Sequence, residues 1–254
     1  MKHTLIKRFT AVVLVCLMVM ESSVSVFAGS SYSTWKTTTV LGYTYEYCSI
    51  ALQRNFTSGN TLEAVALLNT ENNYTNVPIG YMGAQARLMT PDLSIVYTGA
   101  VVYNWVSSAG VVAYSPSTTD DSKIFYAKSK VYLYNGNGYD EYEANMSPYT
   151  MITRGSGDMS IDNGLHDMES TFKKVNEEPE FLPAIGRNGI KGYVKSEELA
   201  PKPKTIEEAI ELTKKAANDQ VIPLYNEDRE IIGEFVISAV TEEGIEEILR
   251  ELNY

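Results

Sequence analysis

Residues 155–172, GSGDMSIDNGLHDMESTF, bring together four acidic side chains and His166, the only histidine after residue 28. Counted as a twelve-residue calcium loop, the stretch puts Asp158, Ser160 and Asp162 in the first, third and fifth places and Glu169 in the twelfth. Calcium needs such clustered oxygens, and the last glutamate closes the shell with two of them. The sixth place, where that loop turns on glycine, holds Asn163. Asn163-Gly164 is also a strong signal for a two-residue hairpin turn, with Met159 and Ile161 alternating on the incoming strand. The turn is the better reading, and calcium is the one cofactor the residues suggest.

Other chemistry is sparse. Cys48 and His166 are the only thiol and imidazole after residue 28, too few for a histidine-rich zinc site. A thiol nucleophile needs a base beside it, and these two lie in unlike parts of the chain. Asp120-Asp121 and Asp140, Glu141 and Glu143 could serve as acid and base on a glycan, but each group sits beside a turn signal, where solvated carboxylates are ordinary. The chain has no GxSxG, no phosphate-cradling loop and no dinucleotide fingerprint. Aromatic side chains are plentiful instead. Tyr43, Tyr45 and Tyr47 alternate along one segment and so share a strand face. With Trp105 they are the candidate ligand-binding residues, a platform for a cell-wall glycan or a surface protein.

The elements that would position these residues divide the chain. Lys2, Lys7 and Arg8 precede an apolar run from Phe9 to Met20, and Val26-Phe27-Ala28 fits a signal-peptidase site. Residues 1–28 thus read as a leader, the run being shorter than the roughly 20 residues of a spanning helix. Cys16 lacks the small preceding residue of a lipid-anchor site. The expectation is a secreted chain with no membrane insertion once the leader is cleaved. Cys48 then has no partner for an internal disulfide.

Beyond residue 28 there are 18 basic and 31 acidic side chains, a balance that repels nucleic acid and anionic membranes. Residues 29–155 carry 7 and 9 of these, and residues 156–254 carry 11 and 22. Fifteen of the 18 tyrosines lie from Tyr32 to Tyr149. Period-two runs such as GYTYEYCSIAL, YMGAQARLM and KIFYAKSKVYLY, bounded by Asn, Gly and Pro, predict an antiparallel sandwich or barrel over residues 29–150. TLEAVALLN alone could be a short helix. Residues 151–184 read as hairpin and linker, and 185–254 as a small α/β module. In that module a capping box, Thr205 with Glu208, opens a helix after the stiff APKPK, two strands follow as VIPLYN and EIIGEFVIS, and a last helix spans about 241–252.

The stretches EFLPAIGRNGIKGYVKSEEL, PKTIEEAIEL and IPLYNEDREIIGEFVIS, roughly residues 180–239, resemble a tail module found after unrelated domains in extracytoplasmic proteins of Gram-positive bacteria. Where that module turns on a glycine before its last strand, this chain has Arg229 and Glu230. The resemblance implies a bacterial surface location and no particular reaction. The expected function is non-catalytic binding or scaffolding at a cell surface. The alternatives are a carboxylate-dependent hydrolase of envelope glycans and a calcium-ordered adhesion module.

Overall fold

The structure is a computed structural model that describes residues 29–56, 59–71, 75–153 and 179–240. It is mainly β. The first sheet has five strands: β1 (Ser30–Tyr32), β2 (Lys36–Val40), β3 (Tyr43–Phe56), β4 (Gly59–Thr70) and β8 (Gly110–Tyr114). Its backbone is the long hairpin of β3 and β4, paired from Tyr45↔Thr70 to Phe56↔Gly59. TLEAVALLN lies within β4. Leu62, Ala64, Ala66 and Leu68 face the main core while Val65 belongs to a separate cluster on the other face, so apolar residues fill both and mask the period of two.

The second sheet has nine strands. It includes β5 (Met82–Met89), β6 (Ile95–Gly99), β7 (Val102–Tyr103), β9 (Tyr126–Tyr134) and β10 (Tyr139–Glu143). The others are β11 (Phe181–Ile185), β12 (Lys191–Lys195), β13 (Gln220–Tyr225) and β14 (Ile231–Ser238). Helix α1 (Ser196–Leu199) follows β12, and α2 (Ile206–Lys215) precedes β13. The two sheets pack face to face. Met82, Ala84, Ala86 and Leu88 of β5 meet Tyr45, Tyr47, Ala64, Ala66 and Leu68 of the first sheet in the main core.

The expected division near residue 150 does not separate the sheets. Phe181–Ile185, read as the end of a linker, is a strand that pairs with β6 through Ala184↔Ile95. β14 returns to the same strand through Ile237↔Thr98 and Ser238↔Gly99. Strands β6, β11, β12, β13 and β14 therefore close into a ring, and each contributes an inward side chain to one cluster: Ile95, Ala184, Val194, Leu224 and Phe235. The acidic half of the chain is built onto a strand of the tyrosine-rich half.

Helix α2 starts where the capping box predicts. Thr205 Oγ1 accepts the Glu208 N–H at 3.2 Å, although Glu208 Oε2 accepts from Lys204 N–H at 2.7 Å, one residue before the expected donor. Ala209 and Thr213 pack on the second sheet beside Val101, Tyr103 and Tyr132. Thr213 Oγ1 also accepts the Tyr103 N–H at 2.9 Å, tying helix to strand.

The hairpins β11–β12 and β13–β14 are written on one plan, FLPAIGRNGIKGYV and VIPLYNEDREIIGEFV. Each closes with the same pair of backbone bonds: Gly186 N–H to Ile190 O and Gly189 N–H to Gly186 O in one, Asn226 N–H to Glu230 O and Arg229 N–H to Asn226 O in the other. Gly189 has φ 74° and Arg229 φ 64°, so arginine adopts the left-handed turn that a glycine would take. Its guanidinium lies 4.9 Å from the centre of the Phe181 ring, a contact that offsets part of the backbone strain.

Gly83 faces the Tyr103 ring, and a Cβ there would sit 2.4 Å from a ring carbon. Gly83→Ala should lower stability by about 1–3 kcal/mol, because the buried ring must move. Gly189→Ala meets no neighbour and should cost about 1 kcal/mol from its backbone alone. Denaturant midpoints of the two variants check both values, and a neutral Gly83→Ala would contradict this packing of β5.

Candidate functional site

An apolar cleft lies where β8 forms an end of the first sheet. A cleft of about 110 Å³ is walled by Val102, Tyr103, Trp105, Val106 and Val112 on one side and by Thr213, Ala217 and Val240 on the other. Asn104 fixes the loop that carries the indole. Its N–H donates to Met82 O, its Oδ1 accepts from Met82 N–H, and its Nδ2 donates to Pro78 O and Val106 O, each at 2.9 Å. Its carbonyl accepts from Gly80 N–H at 2.7 Å. With Asn104 so held and only 4% exposed, the next two residues must project, and Trp105 and Val106 are 40% and 47% exposed.

The cleft also meets peptide groups. Along an antiparallel strand, the N–H and C=O of one residue point to one side and those of the next to the other. Ala109 O accepts from Thr70 N–H and Ser115 N–H donates to Ala64 O, so the odd-numbered residues face β4. Gly110 and Val112, both in the cleft wall, turn toward the edge away from β4, where β8 ends the sheet. The one charged side chain in the lining, Lys214, is paired with Glu211 at 3.0 Å. Such a site removes apolar groups from water; the Gly110 carbonyl already accepts from Ser108 Oγ at 2.9 Å, and the lining holds no acid–base pair.

Trp105 is thus at the cleft, but the expected tyrosine ladder is not a surface. Tyr45 and Tyr47 are 0% and 3% exposed in the main core, and only Tyr43 reaches solvent in part. The face they share is the face that packs on the second sheet. Tyr43 instead joins Tyr81, Tyr134 and Tyr139, whose successive ring centres lie 5.2–6.2 Å apart at interplanar angles of 47–87°. Tilted and edge-on rings of this kind pack well but offer no flat platform.

The carboxylates considered for hydrolysis are engaged. Asp140 accepts from Asn135 Nδ2 at 2.7 Å, Glu141 pairs with Lys130 at 3.0 Å and Lys202 at 2.8 Å, and Glu143 pairs with Lys128 at 3.0 Å. Lys123 and Ser122 hold the Asp120 carboxyl down to about 2, the opposite of what a general acid requires. Burial pushes the Cys48 thiol up to about 12, away from the reactive thiolate. Asp158, Ser160, Asp162, Glu169 and His166 lie outside the described residues. Among the described residues no three His, Cys, Asp or Glu converge as a metal site, and no helix is long and apolar enough to cross a membrane.

Compared with known proteins, the chain matches no family model, and it shows no significant similarity to a curated protein or to a solved structure.

Sequence reasoning had Trp105 and missed its setting. The usable signal was VVYNWVSS itself, in which a polar Asn precedes two large apolar residues at the end of a strand-like run.

Two outcomes follow. Asn104→Ala leaves Met82 N–H and the Val106 carbonyl without these partners, Pro78 O keeping the Tyr81 N–H, and should destabilise the fold by about 1–3 kcal/mol, with a red shift of Trp105 emission. Cys48, Tyr45 and Tyr47 are all raised to about 12, chiefly by burial, from ordinary values of 9 to 10. The folded chain keeps protons that the unfolded chain gives up, so their contribution is complete below pH 9 and is lost as pH climbs toward 12. Urea midpoints at pH 8, 10 and 11 should fall in that order, and a flat profile would contradict the burial of these groups.

Proposed function

We propose that this chain is an exported, non-catalytic binding protein of a bacterial cell surface, and that its contact site is the cleft beneath Trp105. The observation that carries the reading is the cleft's makeup: an exposed indole and valines around an open strand edge, with no ionisable pair to move a proton. Large aromatic side chains held at a pocket are the residues that most often dominate binding energy. The leader-like start, the acidic balance and the likeness of residues 180–239 to a surface tail module support the location. The ion pairs on Glu141 and Glu143 weigh against the hydrolase alternative.

An aliphatic or aromatic side chain presented by a protein suits these walls better than a sugar, which needs hydroxyl partners as well as a ring to stack on. A surface protein is therefore the favoured partner over a cell-wall glycan.

Retention of the chain on isolated cell envelopes tests the reading. Trp105→Ala should weaken retention roughly tenfold or more without changing the denaturation midpoint by more than about 1 kcal/mol. Glu141→Gln should leave retention intact. Protease treatment of the envelopes should abolish it, while glycan digestion should not. Equal retention of Trp105→Ala and wild type would sink the cleft as the contact site.

A further inference from the structure

A second cleft, of about 290 Å³, opens beside the turn between β11 and β12 and shares no lining residue with the one beneath Trp105. Buried Leu224 backs it, and the exposed Ile190 and Ile232 form its lips. The register of β13 and β14 steps from Leu224↔Gly233 to Tyr225↔Ile231, so Ile232 is the extra residue of a β-bulge. Bulges re-aim side chains, and they recur beside functional sites.

The glycines around Leu224 are of two kinds. A Cβ on Gly186 would stand 2.8 Å from Glu234 O, and one on Gly192 would stand 2.6 Å from Tyr225 O, so packing demands glycine at both. A Cβ on Gly233 would come no closer than 3.7 Å to Leu224 and 3.9 Å to Ile190, which are ordinary contacts, and its backbone is not left-handed. Glycine inside a strand weakens it, so one that packing does not require points to a use of the open space.

The rim carries both signs of charge. Arg187 N–H donates to Glu234 O at 3.1 Å, so the two residues are backbone neighbours, and both line the cleft with Asn188. All three side chains are exposed, and among the described residues none has an ion-pair or hydrogen-bond partner. A ligand with only negative charge would be repelled by Glu234, and one with only positive charge by Arg187; a zwitterion is attracted by both. Small-molecule sites run from about 300 Å³ upward, so the space suits one small molecule and not a polymer segment. We propose that this cleft binds an aliphatic α-amino acid as its zwitterion. Arg187 holds the carboxylate, for which a guanidinium offers two parallel N–H donors. Glu234 holds the ammonium, and the aliphatic side chain lies between Ile190 and Ile232 in the space that Gly233 leaves. The site does not depend on the reading of the Trp105 cleft.

Isothermal titration of the purified chain with L-leucine tests the site, with leucinamide and N-acetylleucine as probes that each lack one of the two charges. Leucine should bind saturably, and each of the other two should bind roughly tenfold more weakly or worse. Arg187→Gln and Glu234→Gln should each weaken leucine binding by a similar factor, and Gly233→Ala should weaken it by narrowing the cleft. Glu227→Gln, on the turn of the other hairpin, should change nothing. Arg187 and Glu234 are exposed, so their variants should keep the wild-type urea midpoint while losing the ligand. No saturable binding at millimolar leucine overturns the proposal. Equal binding of all three probes overturns it too, as does leucine binding that survives both charge-removing variants, which would place the ligand elsewhere.

Discussion

Strand β5 is buried on both of its faces, and the rest of the molecule is arranged around that constraint. One face, Met82, Ala84, Ala86 and Leu88, fills the space between the sheets. The other, Gly83, Gln85, Arg87 and Met89, lies under the helices and the strand ring, and a polar face so placed must find partners inside the protein. Gln85 Nε2 donates to Gly99 O at 3.2 Å and Leu199 O at 2.9 Å, and its Oε1 accepts from Arg87 Nε at 3.1 Å. One amide thereby joins β5, β6 and α1. The first sheet, the second sheet and the helical layer are stacked in that order, with the middle layer set by a strand too short to tolerate slippage, since a one-residue shift would exchange its two faces.

Much of the β architecture was readable because successive side chains of a strand turn to opposite faces and, where the two faces differ in residue type, leave a period of two. Tyr43 to Leu52 and Met82 to Leu88 show the pattern, and both are strands. The capping box at Thr205 located α2 because its signal is local. What could not be read was the ring. Ala184↔Ile95 and Ile237↔Thr98 join residues far apart in the chain, and no local pattern announces a partner at that distance. The charge asymmetry pointed to two independent units, but net charge reflects the solvent-facing residues and says little about which strands pair beneath them. For the site, residue type singled out Trp105 and the tyrosines alike. Only burial separates them: the same alternation that aligns Tyr45 and Tyr47 also turns them into the core.

The paired hairpins of the second half show that turns of one geometry can be built on different residues. Gly189 meets the left-handed backbone at no steric cost, whereas Arg229 meets it with strain and stacks on Phe181. Pro183 and Pro223 occupy matching places early in the first strand of each hairpin. The ring is thus two similar hairpins placed against one strand of the earlier sheet, sharing one backbone plan although one turns at Gly189 and the other at Arg229.

That shared strand also governs the order of assembly. On one side β6 has a neighbour close in sequence, β5, with which it forms a hairpin. Its other side waits for Ala184 and then for Ile237 and Ser238, among the last described residues to leave a ribosome. Until they arrive, a nascent chain carries an open seam along β6 that is available to any passing extended segment. A chaperone-like escort or rapid passage through that interval would matter more to this protein than to one whose sheets close in chain order.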